Sequence, residues 1–194
     1  MNEFSFVVGA TIEVQQGFLL WDRKIREYLN TYYQGNRENA KNTIFYICIS
    51  KTEEISSNLI ERQDDFRSVF DDASLLAASC IIQTANIEIE GRFYPGIEIE
   101  SFTNSPWNTI SYSQPERRKG SATSLVEELI RECLGNGFNG ILKAFAIPSA
   151  RQFYRDIGFI ETNGSGEMIL TEYAASEFLQ RQEELRRRYR DAGN

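Results

Sequence analysis

The stretch "SATSLVEELIRECLGNGFNGILKAFAIP", residues 121 to 148, constrains the fold of this chain more than any other. Ala122, Leu125, Val126, Leu129, Ile130 and Cys133 recur at i, i+3, i+4, i+7, i+8 and i+11, so one face of a helix is apolar, and "GNG" ends it. The apolar run "GILKAFAIP" then reads as a strand. Ahead of the helix, "NIEIEGRFYPGIEIESF" carries two alternating IEIE runs joined by a turn containing Gly91, Pro95 and Gly96, which reads as an antiparallel hairpin. A helix that connects two strands over this length implies a parallel crossover. Together these signals predict an α/β fold with a mixed, mostly antiparallel central sheet flanked by helices.

The rest of the chain fills in around that unit. Phe18, Trp21, Ile25, Tyr28, Leu29 and Tyr32 repeat at helical spacing, so "GFLLWDRKIREYLNTYYQ" reads as an amphipathic helix. "TIFYICIS", residues 43 to 50, is short, β-branched and aromatic, and reads as a strand; residues 51 to 72 read as helix or loop. "SLLAASCIIQTA" is a further strand. After the hairpin, "TNSPWNTISYSQPERR" is a long connection rich in Asn, Ser and Pro. "SARQFYRDIGF" is a short helix stopped at Gly158, "GEMILTEY" a closing strand, and the stretch from about 174 to 190 a charged terminal helix whose arginines read as a solvated face. A length of 194 residues suits one domain, 1–194, with a single sizeable core.

Composition narrows the function. Histidine is absent, which removes Ser/His and Cys/His mechanisms and the commonest zinc ligand, and no metal is expected. Cys48, Cys80 and Cys133 are odd in number, far apart and set among apolar residues, so they read as reduced core thiols. A net charge of −7 argues against a nucleic-acid partner, because phosphate contacts need an excess of Lys and Arg. With no basic leader and no long apolar run, the expectation is a cytoplasmic protein without a membrane partner.

"QPERRKGSATS", residues 114 to 124, sets three cations and a glycine against the start of the helix. Unpaired backbone N–H groups and the positive end of the macrodipole attract anions there, and glycine allows close approach. Read as Arg117-x-x-Gly120-x-Ala122, the stretch resembles the acyl-CoA pyrophosphate signature of the GNAT superfamily of N-acetyltransferases. "FYRDIGF", residues 153 to 159, resembles the same superfamily's later FYxxxGF helix, and "SPWN", residues 105 to 108, is similar to a subset of its members. The resemblance covers roughly residues 75 to 171. It implies that acetyl-CoA is the cosubstrate, with its pyrophosphate on the backbone amides of residues 118 to 122 and the Arg117 guanidinium. Arg118, Lys119 and Ser121 would lie beside it, and pantetheine would run between two splayed strands, past Thr103 and Asn104. Ser149 stands where many members carry an asparagine that contacts pantetheine.

Acetyl transfer needs a neutral amine, yet an alkylamine like that of lysine is only about one part in 2500 neutral at pH 7, so a base must take its proton. The expelled thiolate also needs an acid. The resemblance makes Tyr154 that acid. Glu98 and Glu100 alternate with Ile97 and Ile99, so both project from one strand face, and the family often uses a glutamate on this strand as base. Either could serve. The expected activity is therefore acetyl transfer from acetyl-CoA to a primary amine of a small molecule or peptide, by direct attack on the thioester, in a protein for which a homodimer stays open. Two other readings remain: a catalytically inactive CoA-binding or interaction module of the same fold, and a toxin-like acetyltransferase of aminoacyl-tRNA, which the acidic total disfavours.

Overall fold

A computed structural model describes residues 3–192; the first two and last two residues of the expected 1–194 domain lie outside the described ones. Its elements in chain order are β1 (Ser5–Val8), α1 (Ile12–Tyr32), α2 (Ile44–Ser56), β2 (Phe66–Phe70), β3 (Leu76–Ile89), β4 (Arg92–Asn104), α3 (Pro106–Thr109), α4 (Ser121–Gly135), β5 (Leu142–Phe145), α5 (Arg151–Ile157), β6 (Ile160–Glu161), β7 (Glu167–Leu170) and α6 (Glu172–Ala192). The strands form one seven-stranded sheet in the order β1-β2-β3-β4-β5-β7-β6. The crossover through α4 makes β4 and β5 parallel, while β1–β2, β2–β3, β5–β7 and β6–β7 are antiparallel. The chain clusters into two compact units, one of residues 83–100 and 126–192, the other of residues 3–82 and 101–125.

The unit of residues 3–82 and 101–125 holds an aromatic core. Thr11 caps α1 by accepting from the Val14 N–H, and Val14, Phe18, Trp21, Ile25 and Tyr28 line its buried stripe. They pack with Phe45, Ile49 and Ile55 of α2, with Phe66, Phe70, Leu76 and Ile81 of the strands, and with Trp107 and Ile110. The Trp21 indole N–H donates to the Leu76 carbonyl at 2.8 Å, so this large ring is buried without an orphaned donor.

The expected strand at residues 43 to 50 is a helix. The Thr43 hydroxyl accepts from the Tyr46 N–H, and Phe45, Cys48, Ile49, Thr52 and Ile55 are the buried positions, a spacing of three and four residues that emerges only when the segment is followed to Ile55. Residues 51 to 72 are divided between the end of α2, a 3₁₀ turn at Gln63–Asp65 and β2. The hairpin differs in its turn. β3 joins "LAASCIIQTA" to "NIEI" as one strand, and the two-residue loop is Glu90–Gly91, both with positive φ, as tight hairpins favour. Pro95 and Gly96 lie inside β4.

Gly96 is there for a packing reason. In the unit of residues 83–100 and 126–192, β4 pairs with β5 from Ile97 to Ile99, and a Cβ at Gly96 would stand 2.6 Å from the Ile141 carbonyl oxygen and 2.6 Å from Ile87 Cδ1. The same unit buries Leu129, Ile130 and Cys133 of α4 with Leu142, Met168 and Leu170. The three cysteines are reduced and buried, and burial pushes the Cys133 thiol up to about 11 and that of Cys48 upward as well. No helix among the described residues is long and apolar enough to cross a membrane.

Gly96→Ala is expected to cost about 1–3 kcal/mol, because the group it meets is backbone; urea unfolding checks this as a lower midpoint at unchanged slope. A disulfide thiol reagent at pH 8 should react with no cysteine of the native protein and with all three after denaturation.

Candidate functional site

The run that leads into α4 makes a turn whose parts hold one another. Gly120 has φ +97°, and a Cβ there would meet only Phe4 Cε2 at 3.7 Å, so the backbone conformation rather than crowding calls for glycine. Ser121 begins the helix, is buried, and donates its hydroxyl to Asn104 Oδ1 at 3.1 Å. The Asn108 side chain completes the arrangement: Nδ2 donates to Ser121 Oγ at 3.1 Å, and Oδ1 accepts from the Arg118 N–H at 2.9 Å. Three side chains, from the end of β4, from α3 and from α4, thus fix the turn from Arg118 to Ser121. The first-turn N–H groups of α4 have no intrahelical acceptor, and fifteen aligned residues put a positive dipole end there.

The cations of this turn have distinct positions. The Arg117 guanidinium donates from Nε to the Trp107 carbonyl at 3.2 Å and from Nη2 to the Ile110 carbonyl, so it fastens the 107–112 connection. Arg118 pairs with Asp72 at 3.1 Å and donates to the Pro115 carbonyl at 3.0 Å. Lys119 is exposed. Ala122 is half-buried on the first turn, and Thr103 is buried with its hydroxyl on the Asn104 carbonyl at 3.3 Å. One residue before Arg117, Glu116 pairs with Lys24 of α1 at 3.2 Å. Burial opposes charge on that lysine, but Glu116 and Glu27 outweigh it and raise its pKa, so it stays an ammonium.

The other unit carries the remaining candidates. Ile97 and Ile99 are buried, Glu98 is half-buried and Glu100 exposed, as strand alternation predicts. Glu98 is already engaged, with Lys143 Nζ at 3.2 Å and the Gln83 side-chain amide at 3.2 Å, and Lys143 also reaches Glu167 at 3.7 Å. β4 runs on to Asn104 past its pairing with β5, which ends at Ile99. Tyr154 is 5% exposed, with Phe153 and Phe159 edge-on to its ring at 5.2 and 5.1 Å. Gly158, φ +123°, ends α5 by donating to the Tyr154 and Arg155 carbonyls. Ser149 is exposed in the 3₁₀ turn Pro148–Ala150.

The structure therefore brings together Asn104, Arg118, Gly120 and Ser121, and it adds Asn108, to which the sequence assigns no role. No periodicity marks Asn108; its place in "SPWN" is the one trace of it in the chain. Among the described residues no group of three or more His, Cys, Asp or Glu side chains is placed to hold a metal.

No protein-family model and no curated protein matches this sequence. Solved structures do. A mutant of the toxin AtaT bound to the C-terminus of the antitoxin AtaR and acetyl-CoA is 10% identical, with TM-score 0.51 over 66% of this chain and 84% of that one. AtaT complexed with acetyl-methionyl-tRNAfMet is 12% identical, with TM-score 0.50 over 66% of this chain and 85% of that one. A GCN5-related N-acetyltransferase from Anabaena variabilis is 14% identical, with TM-score 0.51 over 82% of this chain and 32% of that longer one. The fold of this chain is thus the GNAT fold, as the motifs imply. One expectation is corrected. The exclusion of nucleic acid, and with it the restriction to a small-molecule or peptide amine, does not stand, since the same fold in AtaT is found with a tRNA. Net charge sums the whole chain, whereas phosphates respond to the local arrangement of cations.

Asn108→Ala removes both bonds of its side chain. The Arg118 amide should then exchange with solvent about five times faster, the equivalent of about 1 kcal/mol for one net hydrogen bond; native-state hydrogen exchange reads this directly.

Proposed function

We propose that this chain is an acetyl-CoA-dependent N-acetyltransferase, and the observation that carries the reading is the Gly120 turn, held at the N-terminus of α4 by Asn104, Asn108 and Ser121. A turn fixed before any ligand arrives lowers the ordering cost of binding an anion. In this reading the backbone N–H groups of residues 119 to 122 receive the pyrophosphate, Arg118 and Lys119 add positive charge, and Arg117 acts through the 107–112 connection that it fastens. The stretch of β4 beyond Ile99, with Thr103 and Asn104, offers main-chain groups to the pantetheine arm, and Ser149 takes the place of the family's asparagine. Supporting this, a solved structure of the same fold is bound to acetyl-CoA.

The chemistry assigned to the chain is one displacement. The acceptor nitrogen forms a bond to the thioester carbonyl carbon, the carbon–sulfur bond breaks, the amine proton leaves to a base and the sulfur receives a proton from the Tyr154 hydroxyl. Glu98 or Glu100 on β4 serves as that base, directly or through water, and Glu98 stands beside Lys143 Nζ at 3.2 Å. The acceptor is a primary amine. Since AtaT is found with acetyl-methionyl-tRNAfMet, the α-amino group of an aminoacyl-tRNA belongs among the acceptors to be offered.

Calorimetry should show saturable acetyl-CoA binding that Gly120→Glu abolishes; no binding by the native protein overturns the reading. Release of CoA thiol, followed with a panel of amines, peptides and charged tRNA, should slow at least about tenfold in Tyr154→Phe, in line with the loss of a general acid. Binding without release of thiol from any acceptor would leave a CoA-binding module instead of an enzyme.

A further inference from the structure

Tyr154 stands on a helix too short to orient itself. α5 has seven residues, and isolated helices below about 12–15 residues are marginal in water, so what α5 touches decides where it sits. One of its faces is held by burial of Tyr154 and Ile157. Its last carbonyl, that of Ile157, accepts from Arg181 Nη2 of α6 at 2.8 Å, and its two arginines, Arg151 and Arg155, are both held by one carboxylate, Glu161 of β6. Glu161 Oε1 accepts from Arg151 Nη1 at 2.9 Å and from the Gly166 N–H at 3.2 Å, while Oε2 accepts from Arg155 Nη2 at 2.9 Å. The two arginines flank Tyr154, three residues before it and one after. Gly166 extends the tie: its carbonyl accepts from the Ala146 N–H at 2.8 Å, and a Cβ on it would stand 2.6 Å from the Ala146 oxygen. The end of β5 and the first turn of α5 are therefore both fastened to residues 161–166.

An isolated exposed ion pair contributes little, but the Glu161 side chain is only 16% exposed and has three donors, so its partners restrict one another. We propose that Glu161 is a positioning residue for Tyr154, setting the rotation and height of α5 through Arg151 and Arg155 and so the place of the phenol. The proposal rests on the reading of Tyr154 as the acid. Glu161 itself moves no proton in it.

Two measurements test the clamp. In Glu161→Ala, and in the milder Glu161→Gln should the alanine variant fold poorly, amides of residues 151–157 should exchange at least about tenfold faster than in the native protein while those of α1 keep their rates. Unchanged exchange in α5 overturns the proposal without any assay of activity. In steady-state kinetics Glu161→Ala should lower kcat about tenfold with the KM for acetyl-CoA within about twofold, as for a misplaced catalytic group. Combined with Tyr154→Phe, it should cost nothing further, because the group it places is gone. Independent, multiplying losses in the double variant overturn the clamp and leave the acid in place. A Tyr154→Phe single variant as fast as the native protein overturns the acid assignment, and the clamp with it.

Discussion

The rest of the candidate site depends on the side-chain amide of Asn108. It is bonded at both ends, accepting from the Arg118 N–H and donating to Ser121 Oγ, and the Ser121 hydroxyl in turn donates a hydrogen bond to Asn104 Oδ1. Each such bond contributes about 0.5–1.5 kcal/mol net, a modest amount, but a buried partner left unsatisfied would cost more than the bond is worth. This is why a turn with a left-handed glycine and three adjacent cations has one conformation. The cations alone would spread it, and the open space around Gly120 would not confine it.

A similar economy governs charge elsewhere. Each cation of residues 117 and 118 is also a tie: Arg117 on the carbonyls of Trp107 and Ile110, Arg118 on Asp72. Glu127 of α4, almost fully buried, is held by Arg131 at 2.7 Å and by Arg186 of α6, so α6 is clipped to the helix it accompanies. A buried carboxylate without such partners would be strongly unfavourable. The total of −7 conceals all of this. Read as a sum, it argued against nucleic acid for a fold in which a tRNA complex is known, and that inference failed because binding senses a local field.

How much was legible follows from the range of each signal. α1, α4 and α5 could be read because their apolar residues recur at helical spacing over two turns or more, or because a glycine with φ +123° stops them. α2 reads as a strand in sequence because six of the eight residues from 43 to 50 are β-branched or aromatic, and the helical spacing needs Thr52 and Ile55 to be visible. β1 and β2 left no mark; each is a short run whose partner strand lies elsewhere in the chain. Gly96 looked like a turn residue because glycine usually is one, and its true cause, the Ile141 carbonyl 2.6 Å from where a Cβ would be, lies some forty-five positions away in sequence. The same holds for the pairing of Glu98 with Lys143, forty-five positions on.

By itself the sequence determined the alternation that makes a hairpin, the apolar stripe that makes α4, the crossover that makes β4 and β5 parallel, and the glycine-and-cation run at the helix start. These are local or periodic properties, and local sterics and burial enforce them wherever they occur. Only the tertiary structure decided that Asn108 is the keystone of the turn, that Arg117 holds a loop, that Lys143 engages Glu98 and that Glu161 clasps both sides of Tyr154. Each of those is a contact that no apolar period or local motif encodes, and the distance between its two groups is set by how the chain packs.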